Sequence, residues 1–119
     1  MIDEPLRPGE LIWVDFGEVS GREQAGRRPA LVASSTNYNA SSSVVIVCPI
    51  SSSGKPWPFR VGLGAGDDAQ GWILVDQLRV IDPAVRHVRR LGRVSEDTAF
   101  RVDQLLAALF DLPDPAIAP

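Results

Sequence analysis

The sequence predicts a mainly β domain of the α+β class, in which a small barrel-like sheet carries one C-terminal helix. Short runs of β-branched and aromatic residues alternate with glycine-, proline- and serine-rich stretches, which is typical of small all-antiparallel sheets. A strong pattern of helical spacing follows only Ser95. At 119 residues the chain can bury one modest core. We expect a single domain over 1–119, with its core at about 9–112 and a flexible tail at 113–119.

The N-terminal half is predicted to contain three strands. Residues 11–16, LIWVDF, combine β-forming side chains with a period of two. Pro29 opens a second strand, PALVAS, and a turn or short helix is expected over 37–43. Residues 44–50, VVIVCPI, are apolar without alternation, which indicates a central strand buried on both faces.

The C-terminal half is predicted to add three strands and the helix. The strands are a short one at 59–63, a long one at 72–81 and a basic edge strand at 86–94. Ser95 is the expected N-cap, because two acidic residues follow it in the first turn, where the helix dipole favours them. The predicted apolar face of the helix consists of Val102, Leu105, Leu106, Leu109 and Phe110. Trp13 and Trp72 lie in strands, and we assign both to the core.

Charge is distributed unevenly along the chain. Residues 22–93 contain ten Lys and Arg against five Asp and Glu, a balance of +5, although the net charge of the whole chain is −3. The flanks 1–21 and 94–119 each contain one Arg against five acids. This asymmetry fits a face that meets phosphates, but such charge clusters are more often simply solvated surface.

Several kinds of site are disfavoured by composition. The single cysteine, Cys48, lies in an apolar run, and the single histidine, His87, lies among arginines and is interpreted as a surface residue. No metal-ligand spacing, phosphate-cradling glycine motif or dinucleotide motif is present, so we expect neither metal nor cofactor. The chain lacks an apolar run of membrane-spanning length, and we expect no membrane association and a cytoplasmic location.

Arginine and hydroxyl groups in two long loops remain as candidates. Arg27 and Arg28 end the glycine-punctuated loop 17–28, and Ser51, with Lys55, belongs to the serine- and proline-rich loop 51–58. Guanidinium groups bind phosphate bidentately, and hydroxyls add donors. RNA suits such a site, because its 2′-hydroxyl is a nucleophile already beside the phosphorus. From composition alone, a flexible linker explains the serine run equally well.

Three segments resemble the MazF/PemK toxins. GELIWVDF with EQAGRRPALV resembles the first motif of that family, PISSSGKPWPF the second and VDQLRVID the third, in matching order. The resemblance extends from Gly9 to the final helix. It implies an SH3-like small barrel of the MazF/CcdB type. It also implies a metal-independent endoribonuclease, a homodimer with single-stranded RNA across its interface, and a cognate antitoxin whose disordered acidic C-terminal segment covers the groove.

The resemblance also implies roles for individual residues. The catalytic arginine of the family, which precedes the proline of the second strand, falls on Arg28, and the catalytic hydroxyl falls on Ser51. Serine replaces the usual threonine there, so the donor remains but the methyl that restricts its rotamer is lost. The loop glutamate falls on Glu23, as an orienting partner for Arg28, a base-edge acceptor or a solvated loop acid, and the strand glutamine falls on Gln77.

We expect cleavage by attack of the RNA 2′-hydroxyl, giving a 2′,3′-cyclic phosphate and a 5′-hydroxyl. Arg28 would stabilise the pentacoordinate charge, although an arginine is a poor base at its ordinary pKa. Trp57, between prolines, is the candidate stacking residue, and a packing role fits it equally well. The predicted RNA-binding residues are Arg22, Gln24, Arg27, Ser52, Ser53, Lys55, Trp57, Gln77 and Arg86.

Two other functions remain open at this point. The gyrase-poisoning toxins share the fold, and a fold does not determine function. The proline-rich tail offers no exposed aromatic anchor for a protein target, which disfavours that alternative. The other alternative is a catalytically lapsed relative that only binds RNA or antitoxin, which the serine at position 51 keeps open.

Overall fold

A computed structural model describes residues 4–17 and 26–117. Over those ranges the chain forms seven strands, two α-helices and one 3₁₀ turn. In chain order these are β1 Glu10–Asp15, β2 Arg27–Val32, α1 Thr36–Ser41, β3 Val45–Ser51, β4 Arg60–Gly62, β5 Trp72–Leu74, the 3₁₀ turn Val75–Gln77, β6 Arg79–Ile81, β7 Arg89–Arg93 and α2 Glu96–Leu109. The mainly β class with a C-terminal helix is therefore confirmed.

The strands form one antiparallel sheet in the order β4-β5-β3-β2-β1-β7, and β6 pairs with the first half of β3. β3 is the central strand, as its unbroken apolar run predicts, since it pairs with β2, β5 and β6. Among the described residues β4 and β7 do not pair with each other. The predicted small barrel is therefore an open sheet.

The two faces of the sheet bury separate clusters because side chains alternate along each strand. One cluster contains Ile12, Val14, Ala30, Val32 and Val47. The other contains Leu11, Leu31, Cys48, Ile50 and Val102, and is covered by α2. We call the first the inner face and the second the helix face.

The predicted strand over 72–81 is wrong in one respect, because the 3₁₀ turn Val75–Gln77 divides it. β5 pairs Ile50 with Ile73, whereas β6 pairs Val47 with Arg79. An uninterrupted strand would place residue 76 opposite Val47, so the chain must insert three residues between the two pairings. The turn supplies those three residues.

The basic edge strand is also shorter than predicted. β7 begins at Arg89, because the amides of Val85 and Arg86 both donate to the Asp82 carbonyl and form a turn before it. His87 then takes a positive φ of 51°, which a continuous strand does not permit.

α2 begins at the predicted cap, where the Ser95 hydroxyl accepts a hydrogen bond from the Thr98 amide. Val102 is buried and its neighbours Leu105 and Leu106 pack on the helix-face cluster. The assignment of the last turn to the apolar face was wrong, since Phe110 is 58% exposed and Leu109 is 37% exposed. No helix in the described part of the chain is long and apolar enough to cross a membrane.

Candidate functional site

Arg28 and Ser51 lie at the ends of neighbouring strands. β2 and β3 pair from Val32 with Val47 to Ala30 with Pro49, where the ladder ends, and the same register extended by two residues would set Arg28 opposite Ser51. Pro29 has no N–H to donate, so the ladder cannot include it as a donor. Residues directly opposite in an antiparallel pair share a face, with Cβ atoms about 4.5–5.5 Å apart. The extended register would therefore bring the predicted catalytic arginine and hydroxyl to the same side of the sheet, the inner face.

The Ser51 hydroxyl is held by its own loop. Ser51 is only 6% exposed, and its Oγ donates to the Ser53 carbonyl at 2.8 Å and accepts from the Ser53 amide at 3.3 Å. Gly71 packs against the Ser51 backbone, since a Cβ at Gly71 would lie 2.3 Å from the Ser51 carbonyl oxygen. The positive φ of 117° at Gly71 also favours glycine there. The hydrogen bonds to Ser53 and the packing of Gly71 together fix the position of the Ser51 side chain.

The loop that follows Ser51 presents polar groups to solvent. Ser52, Ser53 and Lys55 are all exposed, as a phosphate-contacting loop requires. Trp57 is 53% exposed, and its Nε1–H donates to Asp76 Oδ2 at 3.1 Å. The Trp57 ring is therefore tethered at one edge while its surface remains accessible.

Arg60 lies beneath this loop and was not identified from the sequence. Its Nη1 lies 1.9 Å from the position that a Cβ on Gly54 would occupy, so the loop backbone rests directly on the guanidinium. The same nitrogen is buried without a hydrogen-bond partner. The positive φ of 129° at Gly54 accompanies this close approach. A positive charge under the loop raises its attraction for anions.

Arg27 belongs to the opposite face from Arg28. It lines an open cavity of about 760 Å³ together with Trp13, His87, Val88 and Arg89. The register explains the grouping, because Trp13 pairs with Arg89 across the β1–β7 ladder. The assignment of Trp13 to the core was therefore wrong, since Trp13 is only partly buried and lines a basic cavity.

Trp72 is likewise only partly buried, which corrects its assignment to the core. It pairs with Ser51 on one side and Gly62 on the other, so it stands beside Ser51 on the inner face. Strand periodicity predicted that Trp72 lies in a strand, but it could not indicate that this part of the face is open.

The other predicted RNA-binding residues lie at two further places. Gln77 ends the 3₁₀ turn and is partly buried. Arg86 is partly buried, and its Nη1 lies 3.2 Å from the position of a Cβ on Gly17, at the start of the first loop. Arg22, Glu23 and Gln24 lie outside the described residues, so their roles stay predictions.

Cys48 offers no reactive thiol. It is fully buried on the helix face, and burial, with a smaller contribution from the charge of Asp76, raises its pKa to about 12. A thiol with that pKa is protonated at neutral pH and is a poor nucleophile. Over residues 4–17 and 26–117, no three His, Cys, Asp or Glu side chains cluster as metal ligands would.

The fold and the site together define a class of small antiparallel-sheet domains that present an arginine and a hydroxyl at the ends of adjacent strands. The chain matches the family described as PemK-like, MazF-like toxin of type II toxin-antitoxin system over residues 7–110. It belongs to that family, as the three sequence motifs predict.

Characterised relatives support the assignment. The endoribonuclease toxin MazF of Escherichia coli K12 is 38% identical over 89 residues, which cover 75% of this chain and 79% of the relative. Endoribonuclease MazF9 of Mycobacterium tuberculosis is 33% identical over 116 residues, which cover 90% of this chain and 98% of the relative.

Solved structures agree with the fold. The crystal structure of MazF from Deinococcus radiodurans superposes with a TM-score of 0.83 at 34% identity, covering 92% of this chain and 100% of that chain. A crystal structure of MazE-MazF from the same organism superposes with a TM-score of 0.78 at 32% identity, covering 93% of this chain and 100% of that chain.

Proposed function

We propose that this protein is a toxin endoribonuclease that cuts single-stranded RNA at short specific sequences without a metal ion. The observation that carries the proposal is that Arg28 and Ser51 lie at the ends of the neighbouring strands β2 and β3, where the register extended by two residues would set them opposite each other. Relatives that cover most of the chain bear the name endoribonuclease, which supports the same reaction class.

In the proposed reaction the 2′-hydroxyl of the RNA attacks the adjacent phosphorus. The bond to the 5′-oxygen of the next nucleotide breaks, leaving a 2′,3′-cyclic phosphate and a 5′-hydroxyl. Arg28 stabilises the negative charge that grows on the non-bridging oxygens and takes part in proton transfer, with Glu23 as its predicted orienting partner. A bidentate guanidinium placed for the transition state contributes more than one placed for the ground state.

Ser51 donates a hydrogen bond to a non-bridging phosphate oxygen in this mechanism. Its hydroxyl now donates to the Ser53 carbonyl at 2.8 Å, so it must rotate when RNA binds. The exchange replaces a neutral hydrogen bond with a charge-assisted one, which is roughly twice as strong.

Binding of the RNA strand rests on the basic middle of the sequence. Arg27, Lys55 and Arg86 contact phosphates, assisted by Ser52 and Ser53. Gln77 reads a base edge, Trp57 supplies an exposed ring, and Arg22 and Gln24 retain their predicted contacts. Unpaired bases expose the edges that such contacts need, so duplex RNA resists cutting.

An antitoxin with an acidic, extended segment would inhibit by covering the same groove of a cytoplasmic homodimer. The MazE-MazF structure of Deinococcus radiodurans supports a complex of this kind.

The proposal is tested with purified protein, EDTA and a long RNA without secondary structure. Wild type should give discrete fragments with cyclic-phosphate ends. Arg28→Ala should abolish cutting, with a loss of at least about 100-fold in kcat, the effect of removing one transition-state donor. Arg28→Lys should recover little, because lysine keeps the charge but lacks the fork.

Arg27→Ala is the matched control, since Arg27 precedes Arg28 in the same strand but faces the opposite side. It should raise KM and leave kcat nearly unchanged. Absence of cutting by wild type across varied RNAs would overturn the nuclease. If Arg28→Ala still cuts RNA, the protein is a nuclease but Arg28 is not one of its catalytic residues.

One observation keeps the protein-binding alternative in view. Phe110, at the end of α2, is 58% exposed, so the sequence argument that this end of the chain lacks an aromatic anchor does not hold. If RNA is not cut, inhibition of gyrase by wild type and its loss in Phe110→Ala would support a gyrase poison. RNA binding without cutting would support the lapsed relative.

A further inference from the structure

Trp72 occupies a place beside the proposed catalytic hydroxyl that the mechanism above leaves unused. The β3–β5 ladder pairs Ser51 with Trp72, and the β4–β5 ladder pairs Trp72 with Gly62. These pairings form a row from Ser51 through Trp72 to Gly62, and the extended β2–β3 register would add Arg28 beside Ser51. Neighbouring members of such a row have Cβ atoms about 5 Å apart.

The indole of Trp72 lies over Gly62, where the missing side chain makes room for it. A Cβ built on Gly62 would lie 3.5 Å from Cζ3, 3.8 Å from Cε3 and 3.9 Å from Cη2 of the ring. These are van der Waals contacts along the six-membered ring. The sheet therefore supports the ring from one side and limits its rotation.

Part of the Trp72 surface is accessible. The residue is partly exposed, and its Nε1–H donates to no residue in the described part of the chain. The indole N–H of Trp57, in contrast, is bound to Asp76. A partly exposed aromatic ring that is held against the sheet can stack on a nucleobase at low entropic cost.

We propose that Trp72 is the stacking platform for the nucleobase next to the scissile phosphate. This inference rests on the proposed function, because it needs a phosphate at Arg28 and Ser51 to fix the neighbouring base near Trp72. Two cations favour the adjoining phosphates, Arg28 near the end of β2 and Arg60 under the loop that follows Ser51. Stacking positions the base and thereby the attacking 2′-hydroxyl.

The test combines a protein change with an RNA change. The cleavage site mapped for wild type defines a short oligonucleotide, in which either base flanking the cut is replaced by an abasic residue. Trp72→Leu keeps an apolar side chain over Gly62 but removes the aromatic surface, and Trp72→Phe retains part of it. Trp57→Leu is the matched control, because Trp57 is the other tryptophan near the loop and is more exposed.

Trp72→Leu should lower kcat/KM by about 10- to 100-fold on the intact oligonucleotide, with Trp72→Phe between it and wild type. One of the two abasic substitutions should lower the kcat/KM of wild type by a similar factor. The same substitution should change the kcat/KM of Trp72→Leu little, because the stacking contact is already absent in that variant. Trp57→Leu should remain fully sensitive to that substitution. Thermal unfolding identifies any variant that has lost its fold, and the comparison then rests on Trp72→Phe.

Equal abasic penalties in wild type and in the Trp72 variants would overturn the platform while leaving the nuclease intact. Loss of cutting in Arg28→Ala with no effect of Trp72→Leu would have the same meaning. Wild type that neither cuts nor binds the oligonucleotide would overturn both the nuclease and the platform.

Discussion

Ser51 combines burial with a hydroxyl that must change partners. Ser51→Ala removes the donor and leaves the Ser53 amide without its acceptor, so we expect kcat to fall by about 100-fold. Stability should fall by about 1 kcal/mol. Ser51→Thr restores the methyl that restricts the rotamer and should match or exceed wild-type kcat. Single-turnover cleavage and urea unfolding of the three proteins measure the two effects separately.

A Ser51→Ala protein with wild-type kcat would exclude the hydroxyl from the reaction. The sequence could indicate Ser51 because a motif surrounds it. It could not indicate that Oγ is closed onto the Ser53 carbonyl, since that depends on the local turn. Nor could it indicate the openness of Trp13 and Trp72, because exposure of a strand residue depends on which neighbours cover its face.

Among the elements, the turn between β4 and β5 is joined to the start of α2 through one carboxylate. Asp67 accepts hydrogen bonds from the Gly64 amide at 2.8 Å, the Ser95 amide at 2.7 Å and the Thr98 hydroxyl at 3.0 Å. Burial pushes the pKa of Asp67 upward, but these hydrogen bonds outweigh it and hold the pKa below its ordinary value. The carboxylate therefore joins the start of α2 to the turn.

Asp67→Asn should lower the free energy of unfolding at pH 7 by about 1 kcal/mol, because the amide accepts more weakly. A depressed pKa contributes stability that is fully present above the unfolded-state pKa, near 4, and is lost as the pH falls through the folded-state value. The difference between wild type and variant should therefore shrink below about pH 4. Urea unfolding of both proteins at pH 7 and at a series of lower pH values measures this difference in free energy. A difference that does not change with pH would contradict a role for the lowered pKa of Asp67.

Most helices and strands could be predicted from the sequence, but the boundaries between them could not. The β3 strand and the Ser95 cap are encoded by local patterns. The break at Val75–Gln77 is not, because it arises from two different registers on β3, and a register is set by pairing between distant segments.

For the whole molecule, the uneven charge predicts how RNA affinity depends on salt. If Arg27, Arg28, Lys55 and Arg86 each neutralise one phosphate, the logarithm of the association constant should fall against the logarithm of salt with a slope of about −3. Arg27→Ala should make the slope less steep by about 0.7. Titration of an RNA with a 2′-deoxy residue at the cleavage site measures binding without cutting.

Arg7→Ala serves as the control, since exposed Arg7 lies in the acidic N-terminal flank. Equal slopes for wild type and Arg27→Ala would exclude a phosphate contact at Arg27. The fold class and the basic segment were predictable, because both follow from patterns along the chain. The openness of the sheet was not, since it depends on whether β4 and β7 meet across the whole molecule.

The burial of Cys48 has a practical consequence for following this molecule in solution. A maleimide dye needs an accessible thiolate, and the only thiol of the chain is enclosed and has a pKa of about 12. One cysteine introduced at an exposed loop position such as Lys55 would therefore take the label alone, without removal of the native residue. Single-molecule fluorescence could then observe the loop in an otherwise unaltered core.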